Sequence, residues 1–267
     1  MYKMITIDID DTLLNDHMQI SKATQTALQE AAEQGVVITL ATGRMFAAAK
    51  PIAARLGLNV PIITYQGAWI KHLLDGTMLY ERNVPRSLAG QIFAYAKEQG
   101  FHLQVYSEDR LYTWMENEKI KKYSEFSKVP YHIEPDFESL MEQPLAKMLL
   151  FEDPDTIDRI EQEVRPMFGS DVHITKSKPY FLEFSHPEAT KGHAVKYLAQ
   201  HYGCELKEVI AIGDSWNDRE MIQVAGLGVA MGNAVDALKE IADFVTFTNN
   251  DDGVKHVIDT FIFANQA

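Results

Sequence analysis

Three short apolar stretches rich in β-branched residues, MITIDI at 4–9, VVITLA at 36–41 and VPIITY at 60–65, are separated by two segments with helical spacing. Strands apolar on both faces need cover on both faces, so this alternation predicts a parallel sheet with helices on each side. SKATQTALQEAAEQG at 21–35 supplies the first helix, with Ser21 as its N-cap and Gly35 just past its end. RMFAAAKPIAARLGL at 44–58 supplies the second, which Pro51 is expected to kink or interrupt.

The same alternation returns at the other end of the chain. KGHAVKYLAQHYG at 191–203 reads as helix, EVIAIGD at 208–214 as strand, SWNDREMIQVAG at 215–226 as helix and LGVAMG at 227–232 as strand. A helix at AVDALKEIA, a short strand DFVTF and a last helix from about Gly253 complete the set, with NNDDG between them as a turn.

The middle of the chain is different in kind. AWIKHLLDGTMLYERNV at 68–84 reads as a hairpin turning at Asp75-Gly76. From about Pro85 to His186, half-polar strands such as FHLQVYS, LYTWM, AKMLLFE, DVHITKS and YFLEFS mingle with helices at SLAGQIFAYAKEQG and TIDRIEQEVRPMFG. That mixture predicts an antiparallel sheet with helices on one face, and Tyr112, Trp114 and Met115 read as a core stripe within it. The expected fold class is therefore α/β. A Rossmann-like, doubly wound core (1–82 and 188–267) is interrupted by an inserted α+β domain (83–187). Two crossings between them would permit hinge motion, and the cleft is a natural ligand site.

Composition narrows the partners. Thirty-eight acidic residues against 25 lysines and arginines give a formal charge of −13, which opposes non-specific attachment to nucleic acid or an anionic membrane. The single cysteine, Cys204, fits a reducing compartment, and no basic leader or bilayer-length apolar run is present, so a soluble cytoplasmic protein is expected. The nine histidines show no His-x-x-x-His spacing that would suggest zinc, and His186, His193 and His201 read as exposed or satisfied side chains. Monomer and weak homo-oligomer both stay open.

Ligands of an open parallel sheet bind beyond the carboxyl ends of its strands. Asp8, Asp10 and Asp11 lie at or just past the end of the first strand, Thr42, Gly43 and Arg44 after the second, and Asp214, Asn217 and Asp218 after VIAIG. Lys191 opens a helix that could reach the same point. Burying carboxylates is costly unless positive charge meets them. Oxygen donors from Asp8, Asp10 and Asp214 suit a hard cation such as Mg²⁺, which draws in a phosphate. The Thr42 hydroxyl, Gly43 N–H, Asn217 amide and Lys191 ammonium could then hold phosphate oxygens. One carboxylate could attack phosphorus while a second moves the proton. Arg44 reads equally as a surface salt bridge or as a substrate contact.

These stretches, DIDDT at 8–12, TGR at 42–44, Lys191 in TKG and GDSWND at 213–218, resemble the four motifs of the haloacid dehalogenase superfamily. The closer resemblance is to its Cof-like phosphatase branch, with an α+β cap between the second and third motifs. AGLGVAMGNAVDALKEIADFVT and NNDDGV are similar to that branch's C-terminal run. The resemblance implies a Mg²⁺-dependent phosphatase of small phosphorylated metabolites. Asp8 would be nucleophile and metal ligand, and Asp10 the general acid/base, binding metal through its backbone carbonyl. Asp214 would complete the metal site. Thr42, Gly43, Lys191, Asn217 and the Ile9 N–H would bind phosphate, with Asp218 holding metal-bound water or Lys191. Two positions depart from the pattern: Asp11 stands where many relatives have glycine, and Gln66 where they often have asparagine.

Other functions remain open at this level. A phosphotransferase or mutase would use the same aspartyl-phosphate with an alcohol as acceptor, and a phosphometabolite sensor would bind without turnover. A receiver domain also clusters aspartates with a lysine and Mg²⁺, but its phosphoacceptor lies after a later strand, and here the strand ends at 41–43 and 64–67 carry no aspartate.

Overall fold

The computed structural model describes residues 1–264, so the last three residues of the expected core lie outside it. The chain divides into two compact units, one formed by Met1–Tyr80 with the segment from Thr190 onward, the other by Glu81–Ala189.

The first unit begins with β1 (Met4–Asp8), α1 (Lys22–Glu33), β2 (Val37–Ala41), α2 (Phe46–Ala53), β3 (Pro61–Thr64), β4 (Trp69–His72) and β5 (Met78–Glu81). The inserted unit carries α3 (Arg86–Gln99), β6 (Leu103–Ser107), β7 (Arg110–Thr113), α4 (Glu118–Ser127), β8 (Tyr131–Ile133), β9 (Lys147–Phe151), α5 (Pro154–Phe168), β10 (His173–Lys178) and β11 (Phe181–Ser185). The chain then returns with α6 (Lys191–His201), β12 (Val209–Gly213), α7 (Arg219–Val224), β13 (Leu227–Ala230), α8 (Asp236–Lys239), β14 (Phe244–Val245) and α9 (Gly253–Ile258).

The first unit's sheet runs β14-β13-β12-β1-β2-β3-β4-β5. It is parallel from β14 to β3, and β4 returns antiparallel to β3. β1 pairs with β12 on one side and β2 on the other, so the strand order reverses there, at the point where doubly wound sheets hold ligands. Every residue of β1 and β12 is buried. Side chains such as Ile5, Ile7, Ile210 and Ile212 are fully enclosed, each worth roughly 1.5–3 kcal/mol of burial. Cover comes from two helix groups, α1 with α9 and α6 with α7. Ser21 caps α1 by accepting from the Thr24 N–H at 3.0 Å. α2 runs through Pro51 and ends two residues later, so the proline shortens the expected helix rather than breaking it at that point.

The inserted unit's sheet has the order β10-β11-β9-β6-β7-β8. It corrects the sequence reading in three ways. All its described ladders are antiparallel except β7 with β8, which are parallel because α4 carries the chain back between them. Helices cover both faces rather than one. α3 and α5 pack Ile92, Phe93, Ile157, Ile160 and Val164 against Leu103, Val105, Met148, Leu150 and Leu182. On the opposite face Tyr123 of α4 meets Tyr106 and Phe181 edge-on. That helix escapes a hydrophobicity reading because Ile120 is its one buried hydrophobic residue. Finally, the expected core stripe splits. Trp114 packs on Phe93 and Phe137, Tyr112 is half-buried, and Met115 faces solvent at 53% exposure. Among the described residues no helix is long and apolar enough to cross a membrane.

Candidate active site

β1 ends on Asp8, whose carboxylate is buried beside the turn Ile9–Leu13. That turn closes when the Leu14 N–H donates to the Ile9 carbonyl at 2.9 Å. Asp11 adopts φ 57°, ψ 9° within it, a left-handed conformation that favours glycine and tolerates aspartate. Its side chain is exposed, and its carbonyl accepts from Asn233 Nδ2 at 2.8 Å.

Lys191 is the first residue of α6, behind the N-cap Thr190, and is fully buried. Its Nζ donates to Asp8 Oδ1 at 2.5 Å and to Asp218 Oδ1 at 2.6 Å. Burial alone would lower the lysine's pKa, but Asp218 and Asp8 outweigh it and hold the ammonium charged. The other oxygen of Asp218, Oδ2, accepts the Asp214 and Ser215 N–H groups, both at 3.0 Å. Asp218 thus fastens Lys191 to the loop after β12, and hydrogen bonds already engage both its oxygens.

Ligand oxygens of Asp8, Asp214 and Asp218 lie within 4.8 Å of one another. Three carboxylates face one ammonium. Burial pushes the Asp8 carboxyl well up, against the pull of Lys191 and with the help of Asp218 and Asp214. Asp214 is pushed up to about 7, by burial first and then by Asp218 and the nearby Asp11, while Thr12 Oγ1 donates to its Oδ1 at 3.2 Å. The cluster is therefore short of positive charge. A hard divalent cation fits this set of oxygens, and Asp8 and Asp214 are the carboxylates with atoms to spare for it.

Asp10 sits apart from that cluster. Its two oxygens accept from Arg44 Nε at 2.8 Å and Nη2 at 2.6 Å, a bidentate pair that leaves both residues partly exposed. Arg44 follows β2 in the same loop as Thr42 and Gly43. The Thr42 hydroxyl accepts the Arg44 N–H at 3.1 Å and keeps its own proton to give. The Gly43 N–H donates to no acceptor among the described residues. Asn217 is exposed after β12, and its Nδ2 donates to Gln66 Oε1 at 3.1 Å. Ile9 is buried directly after Asp8.

The carboxyl ends of β1, β2 and β12 thus bring together residues spread over more than 200 positions. Sequence reasoning assigned Gln66 no part, although it touches Asn217; its one signal was the departure from asparagine. The three histidines singled out in the sequence have local partners: Thr190 meets His193, Tyr197 stacks on His201, and His186 Nδ1 accepts the Glu188 N–H. A cavity of about 680 Å³ lies wholly within the inserted unit beside Phe93, His102, Trp114 and Phe137, and no expected site residue lines it.

Residues 5–258 match the family model described as haloacid dehalogenase-like hydrolase. The chain belongs to that family. It falls in the Cof-like branch and is an enzyme of the phosphatase class. The Bacillus subtilis 5-amino-6-(5-phospho-D-ribitylamino)uracil phosphatase YwtE is 31% identical over 294 residues, covering 99% of this chain and all of that protein. The crystal structure of TM0651 from Thermotoga maritima superposes with a TM-score of 0.88 at 32% identity, covering 97% of each chain. The HAD subclass IIB sugar phosphatase BT4131 superposes with a TM-score of 0.81 at 27% identity, covering 97% of this chain and 98% of that one.

Proposed function

We propose that the protein is a Mg²⁺-dependent phosphatase that hydrolyses small phosphorylated metabolites, sugar phosphates or phosphorylated cofactors, through an aspartyl-phosphate on Asp8. The observation that carries this reading is the clustering of Asp8, Asp218 and the half-buried Asp214 beside a single charged Lys191, which pairs with the first two. Three carboxylates with one ammonium favour a further cation and, through it, a dianionic phosphoryl group. In the names of relatives, a phosphorylated ribitylamino compound and a sugar phosphate point to polyhydroxylated leaving groups.

Each residue then has a task. Lys191 engages Asp8 Oδ1 and leaves Oδ2 to attack phosphorus. The new Asp8–phosphorus bond forms as the bond to the leaving oxygen breaks, and Asp10 gives that oxygen a proton. Asp10 then takes a proton from water, which attacks phosphorus, releases inorganic phosphate and frees Asp8. Thr42, Gly43, Asn217 and the Ile9 N–H hold the non-bridging oxygens, and Lys191 offsets their charge. Asp8, Asp214 and the Asp10 carbonyl would hold Mg²⁺, which supplies positive charge to the phosphoryl oxygens when bound. Arg44 fixes the Asp10 carboxylate between its two proton transfers. The inserted unit acts as the cap that selects the leaving group, and the setting is cytoplasmic, with no nucleic-acid or membrane partner.

The test is phosphate release from a panel of sugar, polyol and cofactor phosphates and one aryl phosphate, with Mg²⁺ and with EDTA, beside Asp8→Asn. Turnover that needs Mg²⁺ and vanishes in the variant is expected. Turnover that survives Asp8→Asn would remove the aspartyl-phosphate route, and binding without release would make the protein a sensor.

A further inference from the structure

Gln66 stands in a backbone conformation that a side chain adopts at a cost. Tyr65 has φ 52° and Gln66 φ 62°, followed by Gly67 at φ 119°. Two consecutive left-handed residues other than glycine persist only where surrounding contacts over-determine them. Those contacts are specific. The Tyr65 N–H donates to the Arg44 carbonyl at 2.9 Å and the Gln66 N–H to the Thr42 carbonyl at 3.1 Å. Tyr65 is fully buried, with Trp69 edge-on at 4.9 Å. Gly67 lies so close to the backbone before Lys191 that a Cβ there would fall 2.2 Å from the Thr190 carbonyl oxygen. The turn is thereby wedged between the Thr42–Arg44 loop and the start of α6.

The side chain carried by this turn is equally placed. A Cβ added at Gly43 would lie 2.5 Å from Gln66 Nε2, so the carboxamide crosses directly against Gly43. Its Oε1 accepts from Asn217 Nδ2 at 3.1 Å. Its Nε2 donates to no acceptor among the described residues, and neither does the Gly43 N–H beside it. Two donors without acceptors therefore stand together, next to an amide that Gln66 itself restrains. Side chains that only fill a turn have no need of such a conformation, since glycine would fit it without strain.

We propose that Gln66 is a further phosphate-binding residue: Nε2 donates to a non-bridging oxygen of the bound phosphoryl group, and Oε1 holds Asn217 for the same group. The proposal rests on the phosphatase reading and assigns a new contact within it.

The test separates the two. Affinity for inorganic phosphate is measured by titration calorimetry at saturating Mg²⁺, beside steady-state kinetics with an aryl phosphate and a thermal melt. The proteins compared are wild type, Gln66→Gly and Gln66→Asn. Gln66→Gly relieves the positive φ, so its melting temperature is expected to match or exceed wild type. Losing a hydrogen bond to a charged group should weaken phosphate binding and lower kcat/KM about ten- to a hundredfold. Gln66→Asn keeps a carboxamide on a residue that tolerates this conformation, and is expected to restore part of the affinity. Phosphate binding by Gln66→Gly within twofold of wild type would overturn the proposal. If that variant does not fold, wild-type affinity in Gln66→Asn, whose shorter amide cannot reach both partners, overturns it instead. A wild-type protein that neither binds phosphate nor hydrolyses the ester removes the phosphatase reading itself, and the proposal with it.

Discussion

Lys191 donates to Asp8 at 2.5 Å although 183 positions separate them in the chain, and neither side chain has appreciable contact with solvent. Removing one partner of a buried ion pair typically costs about 3–5 kcal/mol, because the other charge is left without compensation. Lys191→Met keeps the bulk and deletes the charge. Turnover of an aryl phosphate should fall by about 10²–10³, the cost of losing one charge-stabilising group. Stability should fall by less than the full penalty, because the Asp8 carboxyl, already displaced upward, can take up a proton. Parallel melts and phosphate-release assays check both numbers; wild-type turnover would take Lys191 out of the phosphate site.

Arg44 grips Asp10 with two nitrogens, and the pair is partly exposed, with 29% and 42% of the two side chains accessible. An exposed pair contributes only about 0–1 kcal/mol to stability, so its value lies in aiming the carboxylate. Arg44→Ala should leave the melting temperature within a few degrees of wild type and lower kcat about tenfold with little change in KM. A rise in KM at constant kcat would instead make Arg44 a substrate contact.

The cation expected at Asp8 and Asp214 can be detected without any turnover. A ligand that binds only the folded protein raises stability by about 2.7 kcal/mol at a hundred times its dissociation constant. Millimolar MgCl₂ should raise the wild-type melting temperature, and EDTA should reverse the rise. Asp214→Asn removes one of the two carboxylates with free atoms and should abolish most of the Mg²⁺ effect. The same Mg²⁺-dependent rise in both proteins would place the ion elsewhere.

The strands and their order of use are legible in the sequence because each site group ends or follows a mostly apolar run, MITI before Asp8 at β1, VITLA before Thr42 at β2 and VIAIG before Asp214 at β12. What a strand end does next is not. Whether Arg44 meets Asp10 or a ligand depends on a side-chain rotamer, not on spacing. That Asp218 spends both oxygens on Lys191 and two backbone N–H groups depends on a turn of three residues, Trp216–Asp218. α4 was missed because its sequence, EKIKKYSEFS, carries too few apolar residues for a clear period, and its aromatic contact with the sheet is made by one tyrosine, Tyr123. Gln66 stood out in the sequence only as a departure from asparagine, and its positive φ has no signature in residue type.

His102 predicts how the inserted unit responds to acid. It is buried at 4% exposure, with Nε2 3.3 Å from Gln104 Oε1 and Nδ1 3.0 Å from Asn117 Nδ2. Both contacts suit the neutral ring with its proton on Nε2, since Nδ1 must accept from the Asn117 amide. Asn117 cannot turn that amide over, because its Oδ1 caps α4 by accepting the Lys119 and Ile120 N–H groups, both at 3.0 Å. Burial, assisted by Lys119 and opposed by Gln104, lowers the ring's pKa to about 4 from an ordinary 6.5. Unfolded chains bind the proton at the higher value and folded ones only at the lower, so stability is complete above pH 6.5. It is lost as the pH falls from there towards 4, by an amount on the order of 3 kcal/mol. His102→Gln cannot be protonated and can still accept from Asn117. Urea unfolding at pH 8, 6.5, 5 and 4 should show wild type losing stability faster than this variant below pH 6.5. Parallel curves would mean that the folded protein accepts the proton on His102 without penalty, and that the Asn117 cap yields to it.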